Sequence, residues 1–102
     1  MYSSFDMWCF IAEIAVMFLK TMTSDKRYRS LVMPRLSEFV YSVPVDVRWD
    51  VYVYVEQEMR GFIEHLDPHY RDLFNEFLDM MRRDVDKETK SVREEVNKCH
   101  GN

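Results

Sequence analysis

Glycine is nearly missing from this 102-residue chain, which has only Gly61 and Gly101, and proline is limited to Pro34, Pro44 and Pro68. That scarcity excludes a glycine-rich phosphate loop, a collagen-like repeat and a flexible linker. The two cysteines, Cys9 and Cys99, stand near opposite ends. They cannot form the disulfide framework of a small secreted domain, and a single Cys9–Cys99 bridge is the one pairing open to them. Histidine is limited to His65, His69 and His100. His65 and His69 are four apart, but a helix break at Asp67-Pro68 interrupts their spacing, and Cys99-His100 has no second pair to complete a metal site. No metal or other cofactor is expected. Long apolar runs are also lacking: Met7 to Leu19 spans 13 residues and includes Glu13. It is too short to cross a bilayer, and no basic residue precedes it as in a signal peptide. A soluble intracellular protein without a membrane partner is the expectation.

The residues of common active sites are missing as well. No serine has an evident activating base, so nucleophilic catalysis has no carrier. Glu56, Glu58 and Glu64 could face Glu76 and Asp79 in a carboxylate bundle, but the Glu-x-x-His motif of such bundles does not occur. These acids read as solvated faces, and the protein as no enzyme. Charge is uneven. Residues 1–43 carry five basic and four acidic groups, residues 44–102 nine basic and fourteen acidic, which gives the net −4. Such a chain repels polyanions, which weighs against non-specific nucleic-acid binding.

What the chain does have is an internal echo. Asp25-Lys26-Arg27-Tyr28-Arg29-Ser30-Leu31 returns 42 residues later as Asp67-Pro68-His69-Tyr70-Arg71-Asp72-Leu73, with Leu36 falling on Leu78 and Val43 on Val85. A period of about 42 residues is the length of a helical hairpin. The chain therefore reads as one all-α domain, 1–102, made of two similar hairpins, about 4–43 and 44–98, around a pseudo-twofold axis.

Caps and stripes place four helices. Ser4 caps a first helix to about Met22, apolar almost all round except for Asp6, Glu13 and Lys20. A helix with one thin polar seam is central in its fold or buried by a second subunit. Asp25 caps a second helix with the stripe Tyr28, Val32, Leu36, Phe39 and Val43, which Pro34 should kink or split near Met33. Residues 43–55 alternate valine or tryptophan with mostly polar residues, which locally suggests a strand and an α+β alternative. At helical spacing Val45, Trp49, Tyr52, Val55, Met59, Phe62 and Leu66 form a longer stripe, and the repeat aligns Trp49 near Trp8, so helix is preferred. Asp67 and Pro68 open the fourth helix, with core positions Leu73, Phe74, Phe77, Leu78, Met81 and Val85. Leu31 and Leu36 are the core leucines of the first copy. Residues 86–102 form a charged tail with Val92 and Val96 as its last apolar positions, and Asp86–Lys90 and Glu94–Lys98 as helix-supporting pairs.

Fifteen per cent aromatic residues and eight methionines exceed what one small core can hide. Surplus aromatics favour a protein or peptide interface. The expected function is a non-catalytic interaction module that binds a partner segment in the groove between its repeats, with Trp49, Tyr52 and Tyr54 lining it. Two alternatives stand beside it. Lys26, Arg27, Arg29 and Arg35 form a basic cluster near tyrosines that would suit nucleic acid. A structural homodimer would instead pair residues 5–19.

The duplicated Asp-x-x-Tyr-Arg-x-Leu motif, the chain length and the few thermolabile amides (Gln57, Asn75, Asn97 and Asn102) resemble the small orphan proteins of the Acidianus filamentous virus, an archaeal virus. The resemblance implies two similar motifs, a heat-stable protein, and a role in the host cytoplasm or the virion. It carries over no catalytic residue.

Overall fold

A computed structural model describes the backbone of residues 4–100 and the side chains of residues 4–91. The chain is all-α: α1 (Ser4–Ser24), a 3-10 turn (Arg29–Leu31), α2 (Val32–Ser42), α3 (Val45–Ile63) and α4 (Pro68–His100). No strand occurs among the described residues, and the alternating segment 43–55 is the start of α3. The extended alternative is thereby corrected. Pro44 sits at the N-cap with extended backbone, and Asp46 lies in the first turn, where a negative charge meets the positive helix end. No helix of the described residues is long and apolar enough to cross a membrane.

The centre of the fold is α3, which touches α1, α2 and α4. The thin polar seam of α1 suggests that α1 would be central, and that expectation is corrected. Only Ala12, Val16, Leu19, Met22 and Thr23 of α1 are buried. Along α3, Val51, Tyr52, Val55, Glu56, Met59 and Ile63 are buried on one broad face, about 140° wide at 100° per residue. From α2 come Val32, Leu36 and Val40, and from α4 Phe74, Leu78, Met81 and Val85 at steps of four and three. Leu31 and Leu73 are exposed and are not core positions, while Phe77 is partly buried and packs against the core. Leu73 lies at the edge of the stripe that Phe74, Leu78 and Met81 define, and Leu31 lies in the 3-10 turn before α2.

The second helix starts later than its sequence cap implies. Asp25 takes the backbone N–H of Arg27 at 2.9 Å and its guanidinium at 2.9 and 3.2 Å. This closes an Asx turn after α1 in place of a helix cap. The chain then passes through the 3-10 turn into α2, with Pro34 in its first turn, where a missing N–H costs least. Asp67 does cap α4, accepting the Tyr70 N–H at 3.4 Å. The two hairpins differ in proportion, α2 having 11 residues and α4 33. The Asp86–Lys90 pair forms at 3.3 Å. Val92, Val96, the Glu94–Lys98 pair and both members of Cys99-His100 lie outside the described side chains, as does one end of a Cys9–Cys99 bridge.

Gly61 lies exposed inside α3, and a Cβ there would meet nothing within 4 Å. Gly61→Ala is expected to stabilise the protein by about 0.5–1 kcal/mol, through the smaller backbone entropy of the unfolded chain. Urea denaturation reads the gain as a higher midpoint at unchanged slope.

Candidate functional site

The sequence-derived peptide site does not assemble. Tyr52 is fully buried, and its hydroxyl donates to the Leu78 carbonyl of α4 at 2.6 Å. Trp49 faces α4, with the Arg82 guanidinium 5.1 Å from its ring. Tyr54, five residues on, lies toward Glu13 and Cys9 of α1, whose charges help to raise its hydroxyl pKa after burial has done most. Trp49 and Tyr52 pack together against α4, ring centroids 6.5 Å apart, while Tyr54 turns toward α1, so the three do not share one surface. Tyr52 in particular is a core residue, because its position on α3 lies under α4.

Burial and the nearby Glu56 carboxylate hold the Tyr52 phenol well above its ordinary range. A folded-state pKa raised above the unfolded value contributes stability below about pH 10 that is lost as pH rises beyond it. Alkaline titration followed by circular dichroism is expected to show unfolding above pH 10. Tyr52→Phe should flatten that loss.

The basic cluster is likewise dispersed into structural work. Arg29 is buried, donates from Nε to the Thr23 carbonyl at 2.9 Å, and lies 4.6 Å from the Tyr70 ring centroid. It thus satisfies a carbonyl at the end of α1, whose last turn has no basic residue of its own. Arg27 pairs with Asp25 at 2.9 Å and Arg35 with Glu38 at 2.8 Å. With Arg29 withdrawn and two neighbours neutralised, Lys26 is left without the concentrated positive face that a polyanion needs.

Arg48 plays the same part for α2, which also ends without a basic residue. Its Nε and Nη2 donate to the Val43 and Tyr41 carbonyls at 3.0 and 3.2 Å, and its Nη1 bonds Glu88 of α4. Arg48→Ala should cost about 1–2 kcal/mol, read as a lower melting temperature, because it strands two helix-end carbonyls.

Glu56 is the acidic side chain that composition misplaces. It is buried between α3 and α4, not solvated. It takes hydrogen bonds from Arg82 and, at 3.4 Å, from Arg60, which also reaches Asp79 at 2.7 Å and Asn75 at 2.9 Å. Asp79 joins it through Arg60, whereas Glu58 pairs with Lys20 of α1 at 3.3 Å. Among the described residues no three His, Cys, Asp or Glu side chains gather as a metal site. His65 and His69 are exposed. Burial first, then the charges of Asp6, Glu13 and Asp50, push the Cys9 thiol up, so it is held in the unreactive protonated form.

An exposed apolar surface lies on the outer side of α1, within the residues 5–19 that the sequence offers as a homodimer surface. Met7, Phe10, Ile11, Ile14, Met17 and Phe18 are exposed, from 37% for Ile11 to 69% for Met17. At 100° per residue they fall on one continuous face, opposite Ala12, Val16 and Leu19. Tyr28 and Leu31, both exposed, continue it past the helix end and form a shallow groove with Phe18, Thr21, Met22 and Arg35. At about 200 Å² per large side chain, the exposed fractions amount to roughly 800 Å² of apolar surface. The polar rim is formed on one side by Glu13, Lys20 and Glu58, and on the other by Arg35 and Glu38.

No family model, no curated protein and no solved structure matches the chain.

Proposed function

We propose that this chain is a non-catalytic protein-interaction module whose interface is the outer face of α1, and not a groove between its two hairpins. One observation carries the reading: a single helix presents a contiguous apolar face with a charged rim. With Tyr28 and Leu31 beyond the helix end, its roughly 800 Å² exceeds the largest patch of an ordinary soluble monomer, about 300–600 Å². Methionine and phenylalanine dominate it, residues that supply adaptable and rigid contact area respectively. The 42-residue echo fits a duplicated hairpin in which only one copy keeps an uncovered apolar helix. The viral resemblance supplies the setting, a host cell or a virion, and a heat-stable chain.

The test is retention of partners on immobilised full-length protein, wild type against Phe10→Glu/Phe18→Glu, using lysate of the source cells. Both positions are exposed, so the double variant should keep its helical circular dichroism. Loss of every bound protein from the variant is the expected result. An unchanged bound set together with an unchanged oligomeric state sinks the reading.

A further inference from the structure

The occupant of the α1 face can be named from its pattern. We infer that a second copy of this chain covers it, as an antiparallel α1–α1′ pair with its twofold axis at Ile14; the inference rests on the proposed interface. The exposed apolar positions are symmetric about that residue: Phe10 and Ile11 precede it by four and three, Met17 and Phe18 follow it by three and four. A twofold interface requires that if residue i meets j, then j meets i. Antiparallel pairing about Ile14 meets this condition with Phe10 on Phe18′, Ile11 on Met17′, and Ile14 on itself. Met7 then falls opposite Thr21′, over the partner's groove beside Tyr28 and Leu31.

Charge and area agree. Rotation about an axis lying in the interface, perpendicular to the helices, keeps each flank on its own side and reverses its direction. The flank of Asp6, Glu13 and Lys20 therefore meets its own reverse, which sets Asp6 of each copy near Lys20 of the other. These two attractive contacts offset the approach of the two Glu13 side chains beside the axis, while a parallel pair would set that flank against Arg35 and Glu38 of α2. Roughly 800 Å² per copy is also what each partner of a standard stable interface contributes. Among the described residues none covers that side, since Met7, Phe10, Ile14, Met17 and Phe18 are all more than half exposed.

Sedimentation velocity of the full chain between 1 and 100 µM decides the state. The expected result is a species of twice the 12.5 kDa chain mass. Ile14→Glu sets two carboxylates against each other at the axis and should weaken association roughly 100-fold, with helical content unchanged. Lys87→Glu on α4 serves as the charge control and should leave the dimer intact. Orientation is read by disulfide trapping in a Cys9→Ser/Cys99→Ser background. Ile14→Cys should link to itself, and Phe10→Cys should link to Phe18→Cys. Phe10→Cys should not link to itself, since those positions lie about 12 Å apart along the axis.

Self-linking of Phe10→Cys with no Phe10–Phe18 product overturns the antiparallel arrangement and leaves the interface reading standing. A monomer at 100 µM overturns the dimer. If that monomer sediments with phosphatidylcholine–phosphatidylserine vesicles and Ile14→Glu does not, the face belongs to a membrane surface and both readings fall. If it instead retains another protein that Phe10→Glu/Phe18→Glu loses, only the dimer falls.

Discussion

Leu78→Ala is expected to destabilise the protein by about 2–5 kcal/mol, the largest effect of any single truncation considered for this chain. Leu78 is 2% exposed, and its backbone carbonyl receives the Tyr52 hydroxyl. The same residue therefore supplies core volume through its side chain and an acceptor through its backbone. Removing the side chain leaves a cavity between α3 and α4 that two rigid helices cannot collapse to fill, so the cavity cost adds to the lost transfer energy. The mutation keeps the carbonyl, so Tyr52→Phe in the same background should add its own cost of about 1 kcal/mol. Guanidinium denaturation of the parent, both single variants and the double variant reads these terms. A Leu78→Ala midpoint equal to the parent's excludes the α3–α4 seam as the core.

Glu56→Ala is expected to cost roughly 2 kcal/mol. Its carboxylate is buried and holds two arginines, Arg60 and Arg82, both partly exposed. Truncation of a fully buried pair costs more, because the surviving charge stays desolvated; here both guanidinium groups can turn to water, which limits the loss. Glu56→Gln separates charge from shape, since the amide keeps the volume and one acceptor. It should recover only part of the stability at pH 7. Thermal unfolding of the three proteins in low and high salt checks the assignment, and equal melting temperatures for Glu56→Ala and the parent would falsify it.

The helices were legible from periodicity and caps, and the reason for the one ambiguous segment is physical. Apolar residues two apart lie 200° apart on a helix, on nearly opposite sides. A strand with one buried face and a helix enclosed by neighbours on several sides therefore share the pattern seen from Val45 to Val55. Partial cover on the far side of α3 explains it: Val51 and Val55 are buried on one face, and Val53 on the other side is half-buried. The same ambiguity misplaced the centre. An all-round apolar helix such as α1 is read as central, but apolarity states only that a surface needs cover, not which chain provides it. The α1 face was legible as a dimer surface over residues 5–19, and the symmetry of Phe10, Ile11, Ile14, Met17 and Phe18 narrows it further. Arg48, Arg60 and Arg82 could not. Their partners lie 40, 19 and 26 residues away, and nothing local marks an arginine as a fastener rather than a surface charge. Arg29 is intermediate: its bond to Thr23 spans six residues, and its duplication with Arg71 hinted at structural work.

The Arg48 fastening also governs how the molecule opens. One guanidinium holds the last carbonyls of α2, the first turns of α3 and the middle of α4 at Glu88. The two-residue connection at Val43-Pro44 is therefore no hinge, and local unfolding there cannot proceed one helix at a time. In native-state hydrogen exchange the amides around Val43–Val47 and those near Glu88 should report one shared opening free energy, distinct from the turn at Lys26–Tyr28, whose backbone bonds run to Asp25 and Leu31 close by.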